Sequence, residues 1–255
     1  MPDRAALLEL CHRLGTPGLD LAIGAEGNAS IRGDDGFMTV KATGCSLETM
    51  APDDLVDVRR STLTALLDAD VDDDDVHAAY LVAKREPSDK KASVEAIMHA
   101  VLYDLTPANV IAHTHPIAVN AIACSQNPEL LVQGALIPDG IVMMGRRQLL
   151  VPYVDPGVPL ARAVRSAVTA FKSEEGESPR VIYLANHGVF ALAATELEAW
   201  QLMQMIVKNA QILIGTMSMG GPRFLSAENV ERIDKRPDEI YRRKLLRHED
   251  GDSDA

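Results

Sequence analysis

Two histidines, His113 and His115, lie two positions apart in a short apolar run over residues 110–116. The run is rich in β-branched residues and ends at Pro116, a composition typical of a strand. Because side chains alternate between the two faces of a strand, both imidazoles are expected to point the same way. Such a pair suits a metal ion with open coordination positions, such as zinc. Taken alone, the pair is equally well explained as two half-buried histidines that each satisfy a hydrogen bond.

A third histidine, His187, lies in a tight turn between two strands predicted at residues 180–185 and 189–192. The glycine that follows it, Gly188, gives the backbone freedom to aim the histidine side chain. Taken alone, His187 is more simply explained as an ordinary turn residue than as a metal ligand.

One carboxylate, Glu95, is placed by the sequence in the first turn of a helix that Ser93 is expected to cap. A carboxylate there is favoured by the helix dipole, which is the simplest explanation for it. The helix leads directly into the histidine strand, so Glu95 could reach a metal as a fourth ligand or as an acid/base group. His99 lies one turn later on the same face and is better explained as a packed residue than as a ligand.

Two loops of small residues, over residues 27–30 and 43–46, expose backbone N–H groups and short hydroxyls that can cradle a phosphate. Each loop is also consistent with an ordinary turn. The sequence contains no Walker or dinucleotide-binding fingerprint, because Gly24 and Gly27 have the wrong spacing and do not link a strand to a helix.

The elements that must position these residues alternate between helices and strands, with several strands joined by tight turns. The pattern predicts a helix over residues 3–15 and a hairpin over residues 31–41. Further helices are expected from about residues 93, 116, 160 and 195. We expect one α/β domain over residues 1–246, with three layers in which helices cover both faces of a mostly antiparallel central sheet. Residues 247–255 are expected to form a disordered tail.

The acidic stretch over residues 68–75 is expected to be a solvated surface loop. A calcium-binding register that begins at Asp68 would need glycine where Asp73 stands and glutamate where Ala79 stands. The EF-hand interpretation is therefore rejected.

The composition excludes several classes of protein and of binding partner. The 255 residues carry a formal net charge of −12, which argues against nucleic acid or an anionic membrane surface as a main partner. The three cysteines are scattered and form no Cys-x-x-Cys pair, as in reduced cytoplasmic proteins. No apolar run approaches the roughly 20 residues that a membrane-spanning helix needs. A soluble cytoplasmic protein is expected.

The motifs taken together are more specific than any one of them, and over roughly residues 5–215 the chain resembles the class II aldolase/adducin family. Within that family it resembles the L-fuculose-phosphate and rhamnulose-phosphate aldolases. The segment 151–157 before a helix also looks like this family. The resemblance rests on Gly27-Asn28-Ala29-Ser30, Thr43-Gly44, Ser93-x-Glu95-x-x-x-His99, His113-x-His115-Pro116 and Asn186-His187-Gly188, in that order.

The resemblance implies a role for each matched residue. His113, His115 and His187 would bind a catalytic zinc ion, or another divalent metal such as Co²⁺ or Mn²⁺. Glu95 would transfer protons as the acid/base group. It also implies a homotetramer with active sites at subunit interfaces, acting on a sugar or sugar phosphate. The residues that would bind the substrate phosphate are Asn28, Thr43, Gly44 and Ser93.

Several departures from the family pattern concern the substrate more than the metal. Residues 92–95 read Ala-Ser-Val-Glu where many such aldolases have Pro-Ser-Ser-Glu, so one hydroxyl is missing. Residues 42–44 read Ala-Thr-Gly where Pro-Ser-Gly or Thr-Ser-Gly is usual. The stretch 59–91 is longer than in the short aldolases. No tyrosine matches the family's interface tyrosine between residues 128 and 152, which leaves Tyr241 as a candidate donor.

The resemblance implies a metal-dependent lyase that cleaves a ketose phosphate or related sugar derivative by a retro-aldol reaction. Dehydration, decarboxylation or epimerisation of a sugar phosphate or hydroxy acid would use the same metal site. A non-catalytic scaffold, as in adducin, is the alternative from a different class of protein, and the presence of the histidines and the glutamate argues against it.

Overall fold

The protein is built around a seven-stranded sheet, seen in a computed structural model that describes residues 3–246 and the side chains up to Tyr241. Every neighbouring pair of strands is antiparallel except the last two, which are parallel. The strands are β1 (Asn28–Arg32), β2 (Phe37–Lys41), β3 (Leu55–Arg59), β4 (Val110–Thr114), β5 (Leu149–Val151), β6 (Val181–Leu184) and β7 (Gly188–Ala193). Across the sheet they follow the order β3-β2-β1-β4-β7-β6-β5.

Helices cover both faces of the sheet, as the sequence predicts. Over the described residues they are α1 (Arg4–Leu14), α2 (Arg60–Thr64), α3 (Asp73–Ala83), α4 (Ala96–Leu105), α5 (Ile117–Ala123), α6 (Pro138–Met144), α7 (Val158–Glu175), α8 (Glu196–Met217), α9 (Ala227–Asp234) and α10 (Pro237–Leu246). One apolar core joins α2, α3, α4 and α7 to one face of the sheet. A second core joins α1, α5 and α8 to the other face.

The central strand β4 is fully buried and brings the two cores together. Ile111 packs into the core that contains α4, while Val110 and Ala112 pack into the core that contains α8. Since side chains alternate along a strand, His113 lies on the same face as Ile111. The register pairs His113 with Asn28 on β1 and with Phe190 on β7. The sheet therefore holds His113 between Asn28 and Phe190, on the face that α4 covers.

Most of the predicted elements agree with the structure, and their ends have local causes. α1 ends before Gly15, as predicted, and begins after Asp3, whose side chain accepts hydrogen bonds from the first turn. Thr195 caps α8 by accepting a hydrogen bond from the backbone N–H of Glu198. The hairpin of β1 and β2 and the strand pair of β6 and β7 also match the sequence predictions.

Four predictions about local structure were wrong or incomplete. The loop predicted over residues 27–30 already becomes strand at Asn28. The acidic stretch is not wholly a loop, because Asp72 caps α3 and residues 73–75 form its first turn, where carboxylates face the positive end of the dipole. The helix expected from Ser93 begins at Ala96, so Glu95 stands at its N-cap. Helices α9 and α10 were not predicted.

Some sequence predictions are left open by the fold. The tail expected over residues 247–255 lies outside the described residues. Tyr241 is an exposed residue of α10, which packs against α6 and α9, and its role as a donor stays a prediction. Over the part of the chain that the structure describes, no helix has the length and apolar character needed to cross a membrane. The cytoplasmic location stays a prediction.

Candidate metal centre

His113 is the most firmly held of the three histidines. Its side chain is fully buried, and its ring stacks on Phe190 with 4.3 Å between the ring centroids. Its Nδ1 lies 3.1 Å from the backbone oxygen of Val189. A carbonyl oxygen can only accept, so Nδ1 carries the hydrogen and the lone pair of Nε2 faces away from the strand. This is the arrangement that orients histidine as a metal ligand.

His115 lies just past the end of β4 and meets His113 at the same point. The two Nε2 atoms are 3.0 Å apart. Burial and the neighbouring imidazoles of His113 and His187 lower the pKa of His115 to about 3, so this ring is neutral at physiological pH. The far nitrogen, Nδ1, lies 3.8 Å from a carboxylate oxygen of Glu26. Nε2 of either ring can act as a ligand atom, so two ring nitrogens this close form a donor set that suits a cation.

His187 reaches the cluster from the turn between β6 and β7. Asn186 adopts a left-handed conformation with φ of 57°, and the side-chain amide of Asn120 donates to the backbone oxygen of His187 at 3.0 Å. From the sequence, the backbone freedom of Gly188 was expected to aim the side chain of His187. The structure gives another reason: a Cβ on Gly188 would lie 2.5 Å from the oxygen of Thr114 and 2.7 Å from the ring of His115. Only glycine lets the turn approach the histidines this closely.

Glu95 closes the cluster from the α4 side. Its Oε1 lies 3.0 Å from Nε2 of His187, and its Oε2 lies 3.4 Å from Nε2 of His113. Burial opposes ionisation of this carboxyl, but His113 and His187, when protonated, offer a positive charge and hydrogen bonds that outweigh burial and hold the pKa of Glu95 well below the usual range. Glu95 is therefore a carboxylate at physiological pH.

The four side chains together form a compact donor set. One ligand atom from each of Glu95, His113, His115 and His187 lies within 4.8 Å of every other. Three imidazole nitrogens and a carboxylate oxygen are donors that zinc and similar divalent metals accept. Two of the side chains, His115 and His187, keep 19% and 15% of their surface exposed, so the cluster opens to solvent on one side. These residues fit a catalytic metal with an open position.

Three of the predicted phosphate-binding residues are brought close to one another. Thr43 and Gly44 lie in an exposed loop after β2, and Gly44 takes a φ of 78° there. This loop is tied to the segment before α4, because the N–H of Thr43 donates to the oxygen of Lys91 at 2.9 Å. Ser93 follows in that segment, and its hydroxyl accepts a hydrogen bond from the N–H of Glu95. The loop, Ser93 and Glu95 are thus linked by hydrogen bonds of neighbouring segments.

Asn28, the fourth predicted phosphate-binding residue, has a different setting. Its side chain is buried, with 2% of the residue exposed. The amide nitrogen donates to Oε2 of Glu95 at 2.5 Å, and the amide oxygen is hydrogen bonded to the ring of His99. Both ends of the amide therefore already have partners, and its role toward a phosphate stays a prediction.

A lysine that the sequence analysis did not consider, Lys41, lies two residues before the loop over residues 43–46. Lys41 is 2% exposed, and its ammonium group donates to the backbone oxygen of Ala25 at 3.0 Å. Burial lowers its pKa, while the nearby Cys45 thiol and the carboxylate of Glu95 oppose that shift. The signal in the sequence was a charged residue that ends an apolar strand two positions before Thr43.

The chain belongs to the class II aldolase family. The family model described as Class II Aldolase and Adducin N-terminal domain matches residues 5–214, which is most of the sequence. The fold and the family resemblance seen in the motifs are thereby confirmed. Enzymes of this family are metal-dependent, and the cluster of Glu95 with three histidines is able to hold a metal.

Curated relatives differ in the activity that their names give. The chain is 24% identical over 217 residues to the 3-oxo-tetronate 4-phosphate decarboxylase of Haemophilus influenzae. The aligned region covers 84% of this chain and 88% of that protein. It is 30% identical over 132 residues to the methylthioribulose-1-phosphate dehydratase of Citrobacter koseri, covering 50% and 52%. A match to the uncharacterized oxidoreductase YuxG of Bacillus subtilis, 25% identical, covers 68% of this chain but only 23% of that protein.

Solved structures share the fold. An L-fuculose 1-phosphate aldolase superposes with a TM-score of 0.68 at 21% identity and covers 91% of this chain and 94% of its own. The L-fuculose-1-phosphate aldolase of Thermus thermophilus superposes with a TM-score of 0.62 at 24% identity, covering 86% and 99%. At this level of identity the likeness concerns the fold alone.

Proposed function

We propose that the protein is a metal-dependent carbon–carbon lyase that acts on a phosphorylated ketose or related sugar derivative by retro-aldol cleavage. The observation that carries the proposal is the meeting of Glu95 with three imidazoles within 4.8 Å. That arrangement offers metal ligands and a proton carrier at one point, which a non-catalytic scaffold does not need.

The three histidines would hold the metal. A divalent metal bound there supplies a Lewis acid that stabilises negative charge on substrate oxygen atoms. The residues of the chain set the conditions for that role. Val189 and Phe190 fix the ring of His113, and the opening beside His115 and His187 admits the substrate.

Glu95 would move the proton. When a carbon–carbon bond of the substrate breaks in a retro-aldol reaction, a substrate hydroxyl gives up a proton and the carbon that keeps the electron pair gains one. Glu95, a carboxylate at rest, would accept a proton and deliver it to that carbon. The hydrogen bond from Asn28 holds Oε2 of Glu95, while Oε1 points toward His187 at the open side of the cluster. Oε1 is therefore the oxygen placed to carry a proton between the substrate and solvent.

A phosphate on the substrate is supported by the loop next to the metal centre. Residues 43–46 expose backbone N–H groups and hydroxyls, and the buried charge of Lys41 lies beside them. A buried cation favours an anion nearby. The two named relatives, the decarboxylase and the dehydratase, both act on phosphorylated compounds according to their names.

Decarboxylation of a phosphorylated 3-oxo sugar acid is a second candidate. The similarity to the decarboxylase of Haemophilus influenzae extends over 84% of this chain, which supports it. The demands on the site are the same, because loss of CO₂ also leaves a carbon that Glu95 would protonate. Dehydration and epimerisation use the same groups and remain outcomes of the test below.

We also propose a homotetramer with sites at subunit interfaces. Two large apolar side chains in the segments next to His115 are exposed, Ile23 at 68% and Ile117 at 55%, and a neighbouring subunit would cover them. Light scattering of the purified protein tests this: a tetramer mass is expected, and a stable monomer would contradict it.

The experiment that tests the function is a substrate panel on protein purified without chelators. Metal content is measured first, and then ketose 1-phosphates and 3-oxo-tetronate 4-phosphate are supplied separately. Triose phosphate from a ketose 1-phosphate supports retro-aldol cleavage, whereas CO₂ release from the 3-oxo acid supports decarboxylation. A protein that binds no divalent metal and turns over none of these compounds would favour the adducin-like scaffold.

A further inference from the structure

A chain of hydrogen bonds runs through the protein interior and ends on Glu95. Tyr103 contacts Ser30 with 2.8 Å between the hydroxyl oxygens, and Ser30 lies 2.6 Å from Nδ1 of His99. Nε2 of His99 is hydrogen bonded to the amide oxygen of Asn28. The amide nitrogen of Asn28 donates to Oε2 of Glu95 at 2.5 Å. Four residues thus connect the body of α4 and β1 to the proton carrier.

The direction of each hydrogen bond in this chain is fixed by chemistry. A carboxylate can only accept, so Asn28 must turn its NH₂ group toward Glu95 and its oxygen toward His99. Burial lowers the pKa of His99 to about 3, so its neutral ring carries one hydrogen. That hydrogen must be on Nε2 to reach the oxygen of Asn28. Nδ1 then accepts from the hydroxyl of Ser30, which in turn accepts from Tyr103.

The side chains of this hydrogen-bond chain are closed to solvent, so water cannot take the place of a lost partner. Ser30 and His99 are fully buried, and Tyr103 and Asn28 are 1% and 2% exposed. The ring of His99 also meets Phe190 edge to face at 5.5 Å, which holds its plane. A buried polar group that loses its partner costs about 1–3 kcal/mol, so each member enforces the orientation of the next.

We infer that His99 is a positioning residue: through the amide oxygen of Asn28, it holds the one amide orientation that donates to Glu95. The inference rests on the proposed function, in which Glu95 carries the proton. If the Asn28 amide were reversed, its oxygen would face the carboxylate of Glu95 and repel it. The carboxylate would then leave the position in which Asn28 now holds Oε2. His99 thus determines where Oε1 points without touching the substrate.

Two substitutions of His99 separate positioning from packing. His99→Phe keeps a ring but removes the donor, so kcat is expected to fall about 10- to 100-fold, as for a catalytic group displaced by roughly 1 Å, with KM changed less than about twofold. His99→Gln places an amide donor near the position of Nε2 and should restore kcat to within about fivefold of the wild type. His77→Phe makes the same change at an exposed histidine of α3 and is expected to leave kcat unaltered.

Crystal structures of the same variants give a readout that does not depend on activity. In His99→Phe we expect the carboxylate of Glu95 to leave its place 3.4 Å from Nε2 of His113, with the backbone of β1 unmoved. In His99→Gln the carboxylate should stay. Should His99→Phe fail to fold, Ser30→Ala is the second variant, since it frees the ring to move its hydrogen to Nδ1. A kcat loss of about three- to tenfold is expected for it, because the ring can adopt either tautomer.

The outcomes distinguish the two proposals. Wild-type kcat in both His99→Phe and Ser30→Ala, with Glu95 in place, would overturn the positioning role. An active Glu95→Gln variant would instead contradict the proton-carrier role and with it the proposed function, while a displaced carboxylate in His99→Phe would still support the hydrogen-bond chain.

Discussion

The metal centre has a buried half and an open half, and they are held in different ways. His113 and Glu95 form the buried half, where a strand, a stacked aromatic ring and the Asn28 amide fix each side chain. His115 and His187 form the open half, in which one histidine follows the end of β4 and the other sits in a turn. The buried half is positioned by the register of the sheet, whereas the open half depends on loops.

The surface that we propose to bind the substrate continues the open half. The exposed residues Thr43, Gly44 and Val94 belong to it, while Ala92 and Ser93 next to Val94 are buried. These are also the positions at which the sequence departs from the pattern of the family's aldolases. We expect the buried half to specify the chemistry and the open half to specify the choice of substrate. Substitutions in the two halves should therefore fail in different ways.

Loss of the buried ligand is expected to have the largest effect. His113→Ala should reduce bound metal to background and lower kcat/KM at least about 10³-fold, because the metal supplies the main stabilisation of charge. His115→Ala is the matched change in the open half. There water can occupy the vacated ligand position, so metal binding should weaken rather than vanish. Elemental analysis and calorimetric titration measure both, and equal losses would remove the distinction between the halves.

Glu95→Gln should separate proton transfer from metal binding. The amide keeps the shape of the side chain but cannot carry a proton, so we expect metal content close to the wild type and kcat lower by about 10²- to 10⁴-fold. Steady-state kinetics and metal analysis on one preparation test this. Full turnover in the variant would show that Glu95 is not the acid/base group, and loss of the metal would make it a ligand first.

The sequence predicted the local parts of this centre and missed the parts that depend on distant pairing. His113 and His115 were placed together correctly because the period of a strand is a local property. The contact between Asn28 and His99 joins residues 71 positions apart and follows from the register of β1 with β4, which no motif encodes. Asn28 was therefore given a phosphate role, although its amide is already bonded at both ends.

The start of α4 and the role of Gly188 were also mispredicted, because both depend on contacts with distant residues. The start of α4 was placed too early because Ser93 is a good cap in isolation, whereas its hydroxyl here accepts from the N–H of Glu95. Gly188 was recognised as special, but for its backbone freedom rather than for the lack of space around it. The fold class was predictable because it needs only the order and type of elements, while contacts need their register.

The tight approach of the turn to the histidines can be tested by stability. Gly188→Ala places a Cβ against backbone atoms of Thr114, so the free energy of unfolding should fall by about 1–3 kcal/mol, and metal binding should weaken. Gly215→Ala, inside α8 with open space around the added carbon, should instead gain about 0.5–1 kcal/mol. Urea unfolding of the metal-free proteins measures both. A neutral Gly188→Ala would mean that the turn can move without cost.

The smallest expected effect lies at the border between the halves, at Lys41. Lys41→Met keeps the length of the side chain and removes its charge, so KM for a phosphorylated substrate should rise about tenfold while kcat stays nearly constant, as for a lost charge-assisted hydrogen bond. Lys91→Met is the control, because that lysine is exposed near the same loop and only its backbone oxygen binds Thr43. Little change in KM is expected for it.

The pH dependence sharpens the assignment of Lys41. Burial lowers the pKa of this lysine, so its charge is present below that pKa and is lost as the pH rises through it, earlier than for an exposed lysine. KM of the wild type should therefore climb on the alkaline side, and the climb should be absent in Lys41→Met. Measuring KM for a phosphorylated and a non-phosphorylated substrate across the alkaline pH range tests whether Lys41 binds the phosphate. An equal climb in both proteins would place the phosphate elsewhere and leave Lys41 as a structural residue of β2.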